Sequence, residues 1–210
     1  MGSIAFGALT TRSKTDARKR RYAPLLAPFN ANVRRHEMAY PSSDAVVILG
    51  TSRSDGNTLA TVNRVLSGKP VELVDLSEMD IGAYDYEHAN STDSFLPLIE
   101  RLVSKSLWLL ATPVYWYAMS AQMKLFVDRL SDLITIRKDL GRSLRGKAVA
   151  VIASGTDEGL PQGFEAPFRL TCDYLGMRYV GVFYLQFGKD DQPVSANAAE
   201  ARAAGASWIA

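Results

Sequence analysis

The stretch that decides the fold is AVVILGTSRSDGNT, residues 45–58, in which an apolar run passes directly into a polar loop rich in hydroxyl groups. The run AVVILG has no polar face, which is typical of a strand buried on both sides of a parallel sheet. After the loop, Leu59, Val62 and Leu66 have the spacing of an apolar helix face, and Gly68 ends the helix. The sequence therefore predicts a strand, a short loop and a helix, which together form the first unit of an α/β fold.

The same alternation of strand and helix continues to the end of the chain. Five strands alternating with five helices predict a doubly wound five-stranded parallel sheet of order 2-1-3-4-5, with helices on both faces. In such a sheet, ligands bind beyond the carboxyl ends of the strands, where the strand order reverses. The predicted strands are residues 45–50, 71–75, 107–112, 148–154 and 179–185, and the predicted helices are 59–66, 95–102, 123–134, 164–175 and one that follows Ser195.

Length and composition are those of a single globular domain, because the 210 residues are 47% hydrophobic and 22% charged. A single cysteine, Cys172, excludes an internal disulfide and a cysteine-rich metal site and favours a cytoplasmic location. The most apolar stretch, residues 107–119, contains Pro113 and falls short of the roughly 20 residues of a membrane span. His88, the only histidine after residue 43, is predicted to be a solvated loop residue, so we expect neither a hydrolase triad nor a metal site.

Positive charge is concentrated at the start of the chain. Residues 1–43 hold eight of the 24 Lys and Arg but two of the 22 Asp and Glu, which leaves a net charge of +6 there and −4 on the remainder. We interpret residues 1–43 as a flexible basic extension and residues 44–210 as the folded domain. A transit peptide, a basic arm for nucleic acid or anionic lipid, and an extension upstream of an alternative start at Met38 stay open. The negative charge of the main domain argues against a nucleic-acid partner.

The loop of residues 50–58 has the donors of an anion site. Hydroxyls and backbone N–H groups at a helix N-terminus donate to phosphate, and the helix dipole adds about 0.3–1 kcal/mol. The glycine spacing differs from that of a Walker A loop, and G-x-G-x-x-G is absent. An ordinary strand-to-helix turn with capping hydroxyls is the alternative interpretation. The predicted phosphate donors are Ser52, Arg53, Ser54, Asn57 and Thr58.

The third strand runs into TPVYWYAMSAQMKLFVDR, residues 112–129. Together with GTSRSDGNT, this motif resembles the signature of the NAD(P)H-dependent FMN reductase family, which belongs to the flavodoxin-like superfamily. A flavin ring is large and planar, so its site should be mostly apolar and aromatic. Three bulky aromatic residues in an exposed loop fit such a wall, with a subunit contact as the alternative. The predicted wall comprises Pro113, Val114, Tyr115, Trp116 and Tyr117.

The resemblance implies an enzyme with FMN as cofactor and NADPH or NADH as co-substrate. Hydride would pass from the nicotinamide C4 to N5 of FMN and on to a flavin, a quinone or a similar small-molecule acceptor, with no catalytic side chain required. It also implies that Ser154, Gly155 and Thr156, after the fourth strand, approach the pyrimidine side of the flavin. A homodimer or homotetramer formed through residues 119–134 is implied as well. The alternative is a flavodoxin-like electron carrier or redox-sensing binding module without nicotinamide turnover.

Overall fold

The computed structural model describes residues 39–194 and 198–210. The predicted basic extension therefore lies outside the described residues, except for positions 39–43. The strands are β1 (Ala45–Leu49), β2 (Glu72–Asp75), β3 (Leu107–Pro113), β4 (Ala148–Gly155) and β5 (Arg178–Gln186). The helices are α1 (Asn57–Leu66), α2 (Phe95–Leu102), α3 (Ala121–Arg129), α4 (Asp132–Thr135), α5 (Lys138–Ser143), α6 (Ala166–Leu175) and α7 (Ala198–Trp208). None of these described helices combines the length and the apolar character needed to cross a bilayer.

The five strands form one parallel sheet of order β2-β1-β3-β4-β5, which confirms the predicted topology. Ile48 of β1 lies opposite Leu110 of β3, and Leu110 in turn lies opposite Val151 of β4. Because β1 and β3 are neighbours in the sheet but not in the chain, the strand order reverses between them. The loops that follow these two strands therefore diverge and leave a crevice at the carboxyl edge of the sheet.

Apolar side chains cover both faces of the sheet. Val46 and Ile48 of β1 belong to the cluster that packs under α2, α3 and α6. Val47 and Leu49 point the other way, into the cluster beneath α1 and α7. Successive side chains of a strand alternate between faces, so a strand covered on both sides must be apolar throughout. This is the physical reason for the uninterrupted run AVVILG.

One predicted helix is wrong. The apolar stripe over residues 123–134 suggested a continuous helix, but α3 ends at Arg129 and α4 begins at Asp132. At the break the backbone hydrogen bonds change to the i→i−3 pattern of a 3₁₀ turn, and the Leu130 N–H donates to the Val127 carbonyl at 3.2 Å. Arg129 Nε donates to Asp132 Oδ2 across the break at 2.8 Å, so the two short helices bring a buried ion pair together while Leu130 stays in the core.

The beginning of the described chain pairs with its end. The Tyr40 N–H donates to the Trp208 carbonyl at 2.8 Å, and the Ala210 N–H donates to the Tyr40 carbonyl at 2.7 Å. Tyr40 and Ile209 thereby form a parallel bridge beside the sheet. The segment before β1 and the residues after α7 thus hold each other in place.

Candidate functional site

A cavity of about 310 Å³ opens at the carboxyl edge of the sheet, where the loops after β1, β3 and β4 meet. Its position beside the reversal of strand order is the expected binding place for a ligand of this fold. The residues that line it are Thr51, Arg53, Gly56, Asn57, Thr58, Pro113, Val114, Tyr115, Ser154, Gly155 and Thr156.

Most of the predicted site residues meet in this cavity. Nine of them line it, namely Arg53, Asn57, Thr58, Pro113, Val114, Tyr115, Ser154, Gly155 and Thr156. Thr51 and Gly56 also line it, although they were not among the predicted residues. Their position inside the same hydroxyl-rich loop could have indicated them. The remaining four predicted residues, Ser52, Ser54, Trp116 and Tyr117, are exposed and lie outside the lining.

The loop after β1 closes tightly against the start of α1. The Gly56 N–H donates to the Arg53 carbonyl at 3.3 Å, and a Cβ on Gly56 would lie 3.1 Å from Arg53 Nε. A Cβ at this position would therefore crowd the Arg53 side chain, which is mostly exposed. Gly56 also occupies the capping position of α1, where it supplies no side-chain acceptor to the first N–H groups of the helix. Those N–H groups are suited to bind an anion.

A buried hydrogen bond joins the first turn of α1 to the end of β4. Thr58 Oγ1 and Ser154 Oγ lie 2.9 Å apart, although 96 positions separate the residues in sequence. Both side chains are buried on the floor of the cavity, so each hydroxyl serves as the other's partner. The bond fixes the distance between the end of β4 and the start of α1.

Ser120 attaches the second loop to the first. Its Oγ donates to the Gly50 carbonyl at 2.6 Å and accepts from the Met123 N–H at 3.1 Å, which caps α3. Its own N–H donates to Thr112 Oγ1 at 3.0 Å. A Cβ on Gly50 would lie 2.9 Å from Met123 Cβ, so only glycine lets α3 come this close to the end of β1. The loops that form the cavity are therefore rigidly connected.

Two aromatic residues form the tip of a strained hairpin next to the cavity. Tyr115 and Ala118 exchange backbone hydrogen bonds of 2.9 and 3.0 Å, and the two residues between them have positive φ, 48° for Trp116 and 66° for Tyr117. Such a two-residue turn normally holds Asn or Gly, and bulky residues in this conformation cost about 1–3 kcal/mol each. Trp116 is 93% exposed and Tyr117 is 68% exposed. Both rings are therefore exposed to solvent on the loop that follows the cavity residue Tyr115.

Strand β5 supports the loop after β4. Tyr184 Oη donates to the Asp157 carbonyl at 2.9 Å, and Gln186 Nε2 donates to the Thr156 carbonyl at 3.2 Å. Burial and the nearby Asp157 carboxylate raise the pKa of Tyr184 above its ordinary value, so the phenol stays protonated and able to donate at neutral pH. A Cβ on Gly155 would come within 2.7 Å of the same phenol oxygen, which explains the glycine at the end of the strand.

A segment that no sequence signal indicated also reaches the site. Asn57 Nδ2 donates to Asp191 Oδ1 at 2.9 Å, although Asp191 follows β5 and is 134 positions away in sequence. Neither the spacing nor the composition of residues 187–194 pointed to this contact. The Asp191 carboxylate thus accepts a hydrogen bond from Asn57, one of the predicted phosphate donors.

The predicted solvated His88 is instead half-buried and paired, which corrects that expectation. Its Nδ1 lies 2.9 Å from Asp132 Oδ1, in a cluster centred on Arg129. The Arg129 guanidinium also forms an ion pair with Asp93 and donates to the Asn90 carbonyl at 3.0 Å. Among the described residues, no group of three or more His, Cys, Asp and Glu side chains is arranged to hold a metal ion. We assign the Arg129 cluster to the structure and not to the cavity.

The comparison with protein families agrees with this geometry. A family model described as NADPH-dependent FMN reductase matches residues 44–192, which include all three loops of the cavity. The chain belongs to the NADPH-dependent FMN reductase family. Membership in this family makes it an FMN-dependent NAD(P)H oxidoreductase and confirms the resemblance that the two loop motifs indicated.

Three known proteins illustrate how this FMN reductase family member relates to others. It is 33% identical over 149 residues to the putative NAD(P)H-dependent FMN-containing oxidoreductase YwqN of Bacillus subtilis, covering 64% of this chain and 80% of YwqN. The structure of Trp repressor binding protein from Bacillus subtilis is 26% identical, with a TM-score of 0.60 over 77% of this chain and 95% of that chain. An FMN-dependent NADH-azoreductase from Bacillus anthracis, in complex with FMN, shares the fold at 9% identity, with a TM-score of 0.54 over 76% and 93% of the two chains.

Proposed function

We propose that this chain holds FMN in the cavity between the three loops and passes reducing equivalents from NADPH or NADH to a small-molecule acceptor. When bound, FMN supplies the redox chemistry, in which hydride passes from the nicotinamide C4 to the flavin N5 and on to a flavin, a quinone or a similar acceptor. The observation that carries the proposal is the combination, in one cavity, of a polar anion-binding end and an apolar wall. A ligand with a phosphate tail and a planar ring requires both.

The polar end of the cavity fits a phosphate. Asn57 and Thr58 belong to the first turn of α1, and Arg53 lies beside them in the loop. Their side chains offer an amide, a hydroxyl and a guanidinium, and the uncapped N-terminus of α1 adds backbone donors and the positive end of the helix dipole. We assign Ser52 and Ser54, which are exposed on the same loop, to the outer contacts of the phosphate.

The opposite end of the cavity fits a planar ring. Pro113, Val114 and Tyr115 line it together with Gly155 and Thr156, which follow directly in the chain after Ser154, the partner of Pro113 in the β3–β4 register. We propose that the backbone groups of Gly155 and Thr156 orient the pyrimidine side of the ring, and that Trp116 and Tyr117 cover the part of the ring that extends past the mouth. The described residues that line the cavity include no histidine, lysine or carboxylate, so the role of the chain is to position the reactants and to exclude water.

Two arginine variants test the site. Arg53→Ala removes a charged donor from the phosphate end and should weaken FMN binding about tenfold, since an exposed charge-assisted hydrogen bond contributes about 1.4 kcal/mol. Arg142→Ala removes the same charge from the exposed surface of α5 and should leave the affinity unchanged. The measurement is flavin fluorescence during equilibrium titration. Equal effects of the two variants would contradict the assignment of the phosphate end.

Steady-state kinetics distinguish the enzyme from its alternatives. Protein loaded with FMN should oxidise NADPH or NADH in the presence of a quinone or free flavin, and anaerobic titration should bleach the flavin absorbance near 450 nm, roughly the band common to oxidised flavins. Tight FMN binding without turnover with any small acceptor would indicate an electron carrier or a redox-sensing module.

We also propose that the protein is a homodimer, or a homotetramer built from such dimers, formed through residues 119–134. The outer surface between α3 and α6 is a groove of about 310 Å³ to which Val127 and Ile134 contribute from one side. Leu170 and Tyr174 complete it from α6 and are exposed. Apolar side chains make up most of its lining, which also includes Asp128, and such a groove on a monomer is typical of an interaction surface. We assign a second copy of this chain to it.

Light scattering tests this assembly. Leu170→Glu should convert the FMN-loaded protein to a monomer, because it replaces an exposed apolar contact of the groove with a second carboxylate besides Asp128. Leu73→Glu, at a similarly exposed apolar residue of β2, should leave the mass of the assembly unchanged. A monomeric mass for the unmodified protein would contradict the proposal.

We propose that residues 44–210 form the FMN-binding domain and that residues 1–43 are an extension outside it. Because Tyr40 pairs with the residues after α7, a truncation should begin at Met38. A protein that starts at Met38 should bind FMN and oxidise NAD(P)H as the full chain does. Loss of FMN binding in this truncated protein would show that the first 37 residues belong to the site.

We further propose a cytoplasmic location. The only cysteine in the sequence, Cys172, is buried, and burial raises the pKa of its thiol to about 12. Such a thiol is a packing element with little reactivity, in keeping with a chain that has no structural disulfide. Cell fractionation checks the proposal, and recovery of the protein in a secreted or membrane fraction would contradict it.

A further inference from the structure

The segment after β5 folds into a turn that is fixed by its own hydrogen bonds. The Gly188 N–H donates to the Gln192 carbonyl at 2.7 Å, and the Asp191 N–H donates to the Gly188 carbonyl at 3.1 Å. Asp190 Oδ1 accepts from the Gln192 N–H at 3.2 Å, which keeps the Asp190 carboxylate inside the turn. Asp191 has a positive φ of 57°, in the left-handed region that Asp tolerates better than most residues.

This turn delivers a carboxylate to the predicted phosphate site. Asp191 Oδ1 accepts a hydrogen bond of 2.9 Å from Asn57 Nδ2, the ordinary length of an N–H···O bond. Asn57 is the first residue of α1 and lines the cavity. A negative charge is favourable at the N-terminus of a helix. The Asp191 carboxylate thus already accepts from an Asn57 N–H group that a phosphate would otherwise use.

We propose that Asp191 is an internal competitor of the cofactor phosphate for Asn57, and that it lowers the affinity of the site for FMN relative to riboflavin. This inference rests on the proposed FMN function. It names a residue that influences whether the same cavity prefers a charged or an uncharged flavin. The Asn57 amide carries two N–H donors on one nitrogen, and a phosphate that takes up this position meets the Asp191 carboxylate. FMN then binds either beside a like charge or after the turn has withdrawn, and both lower its affinity. Riboflavin has no phosphate and experiences neither effect.

The test compares two neighbouring acidic residues. Asp191→Asn keeps a side chain of the same shape but removes the charge, and it should tighten FMN binding about tenfold at low salt. Riboflavin binding should stay the same. Asp190→Asn removes an equal charge one position away, retains an acceptor for the Gln192 N–H, and should change FMN affinity less than twofold, roughly the effect of a screened surface charge. Both ligands are titrated into each protein at about 20 mM and about 500 mM salt, with flavin fluorescence as the signal.

The salt series separates this role from a merely structural one. Since Asp191 is exposed, the gain in Asp191→Asn should shrink at high salt, whereas a change in turn stability would persist. Equal gains for the two variants would overturn the inference, because they would show a general effect of net charge. Unchanged or weaker FMN binding in Asp191→Asn would overturn it as well, provided that its circular dichroism and thermal midpoint match the unmodified protein; Asp191→Gly, which accepts the positive φ, serves if they do not. If the unmodified chain and every variant fail to bind FMN and riboflavin, the proposed function itself falls, and the inference falls with it.

Discussion

Removing the Arg129 guanidinium should destabilise the protein far more than removing a guanidinium from its surface. Arg129 is 1% exposed, and its partners Asp93 and Asp132 are 10% and 3% exposed. The same guanidinium donates to the Gly82 carbonyl at 3.1 Å and to the Asn90 carbonyl at 3.0 Å, so it attaches the chain between β2 and α2 to the end of α3.

The expected loss of unfolding free energy follows from the groups that Arg129→Met would leave without a partner. Methionine fills much of the same volume, but two buried carboxylates would lose the guanidinium, with His88 still beside Asp132, and two carbonyls would lose donors. Breaking a buried ion pair from one side costs about 3–5 kcal/mol, and we expect about 4 kcal/mol for this variant. Single domains are stable by about 5–15 kcal/mol, so the variant should still fold but unfold at a much lower urea concentration.

The pH dependence provides a second signature of the same cluster. Burial alone would raise the pKa of Asp93, but hydrogen bonds from Arg129 and from the backbone of Phe95 and Gly82 outweigh it, so that pKa is lower than usual. A carboxylate with a lowered pKa in the folded state contributes stability above its unfolded value, about 3.9, and loses that contribution as pH falls through the folded value. The difference in unfolding free energy between the two proteins should therefore be largest near neutral pH and shrink below about pH 4.

Urea unfolding followed by circular dichroism measures both effects. Arg137→Met is the matched control, because Arg137 forms ion pairs with Glu100 and Asp139 at the exposed surface and should shift the midpoint much less. The triple variant Arg129→Met, Asp93→Asn, Asp132→Asn should regain much of the stability that Arg129→Met loses, because it leaves no buried carboxylate without its guanidinium. A cost below about 1 kcal/mol, or one no larger than that of the control, would refute the reasoning.

Two further substitutions test the connections around the cavity. Thr58→Val should cost about 1–3 kcal/mol and weaken FMN binding, because it leaves the buried Ser154 hydroxyl without its partner. Thr61→Val on the same helix should cost less, since the Thr61 hydroxyl donates to a backbone carbonyl within the helix; equal costs in urea unfolding would contradict this. Trp116→Gly should raise stability by about 1 kcal/mol, as relief of the positive φ exceeds the backbone entropy that glycine adds. Tyr86→Gly, at an exposed aromatic residue without a positive φ, should lower the thermal midpoint, and a decrease for both variants would show that the hairpin is not strained.

Local sequence patterns were sufficient for the architecture and for most of the cavity. Strands covered on both faces must be apolar throughout, so the runs AVVILG, LWLLAT and AVAVIAS identified β1, β3 and β4 directly. The alternation of strand and helix then led to the parallel order, because parallel neighbours require crossover helices. The polar loop after β1 and the aromatic loop after β3 lie next to the strands that position them. Arg53 and Tyr115 could therefore be assigned to the cavity from the sequence.

Other features depend on contacts that only the folded chain creates. The stripe over residues 123–134 has helical spacing throughout, yet the helix is interrupted where Arg129 and Asp132 pair with Asp93 and His88 of another loop. Trp116 is exposed at the tip of the hairpin and has a positive φ that a bulky residue disfavours, so its own preference did not predict this conformation. The contact between Asp191 and Asn57 depends on the path of a turn 134 positions away in sequence. Local sequence patterns do not predict a contact between residues so far apart. Periodicity reports which face of an element is buried, whereas the identity of the group that meets that face is decided by tertiary packing.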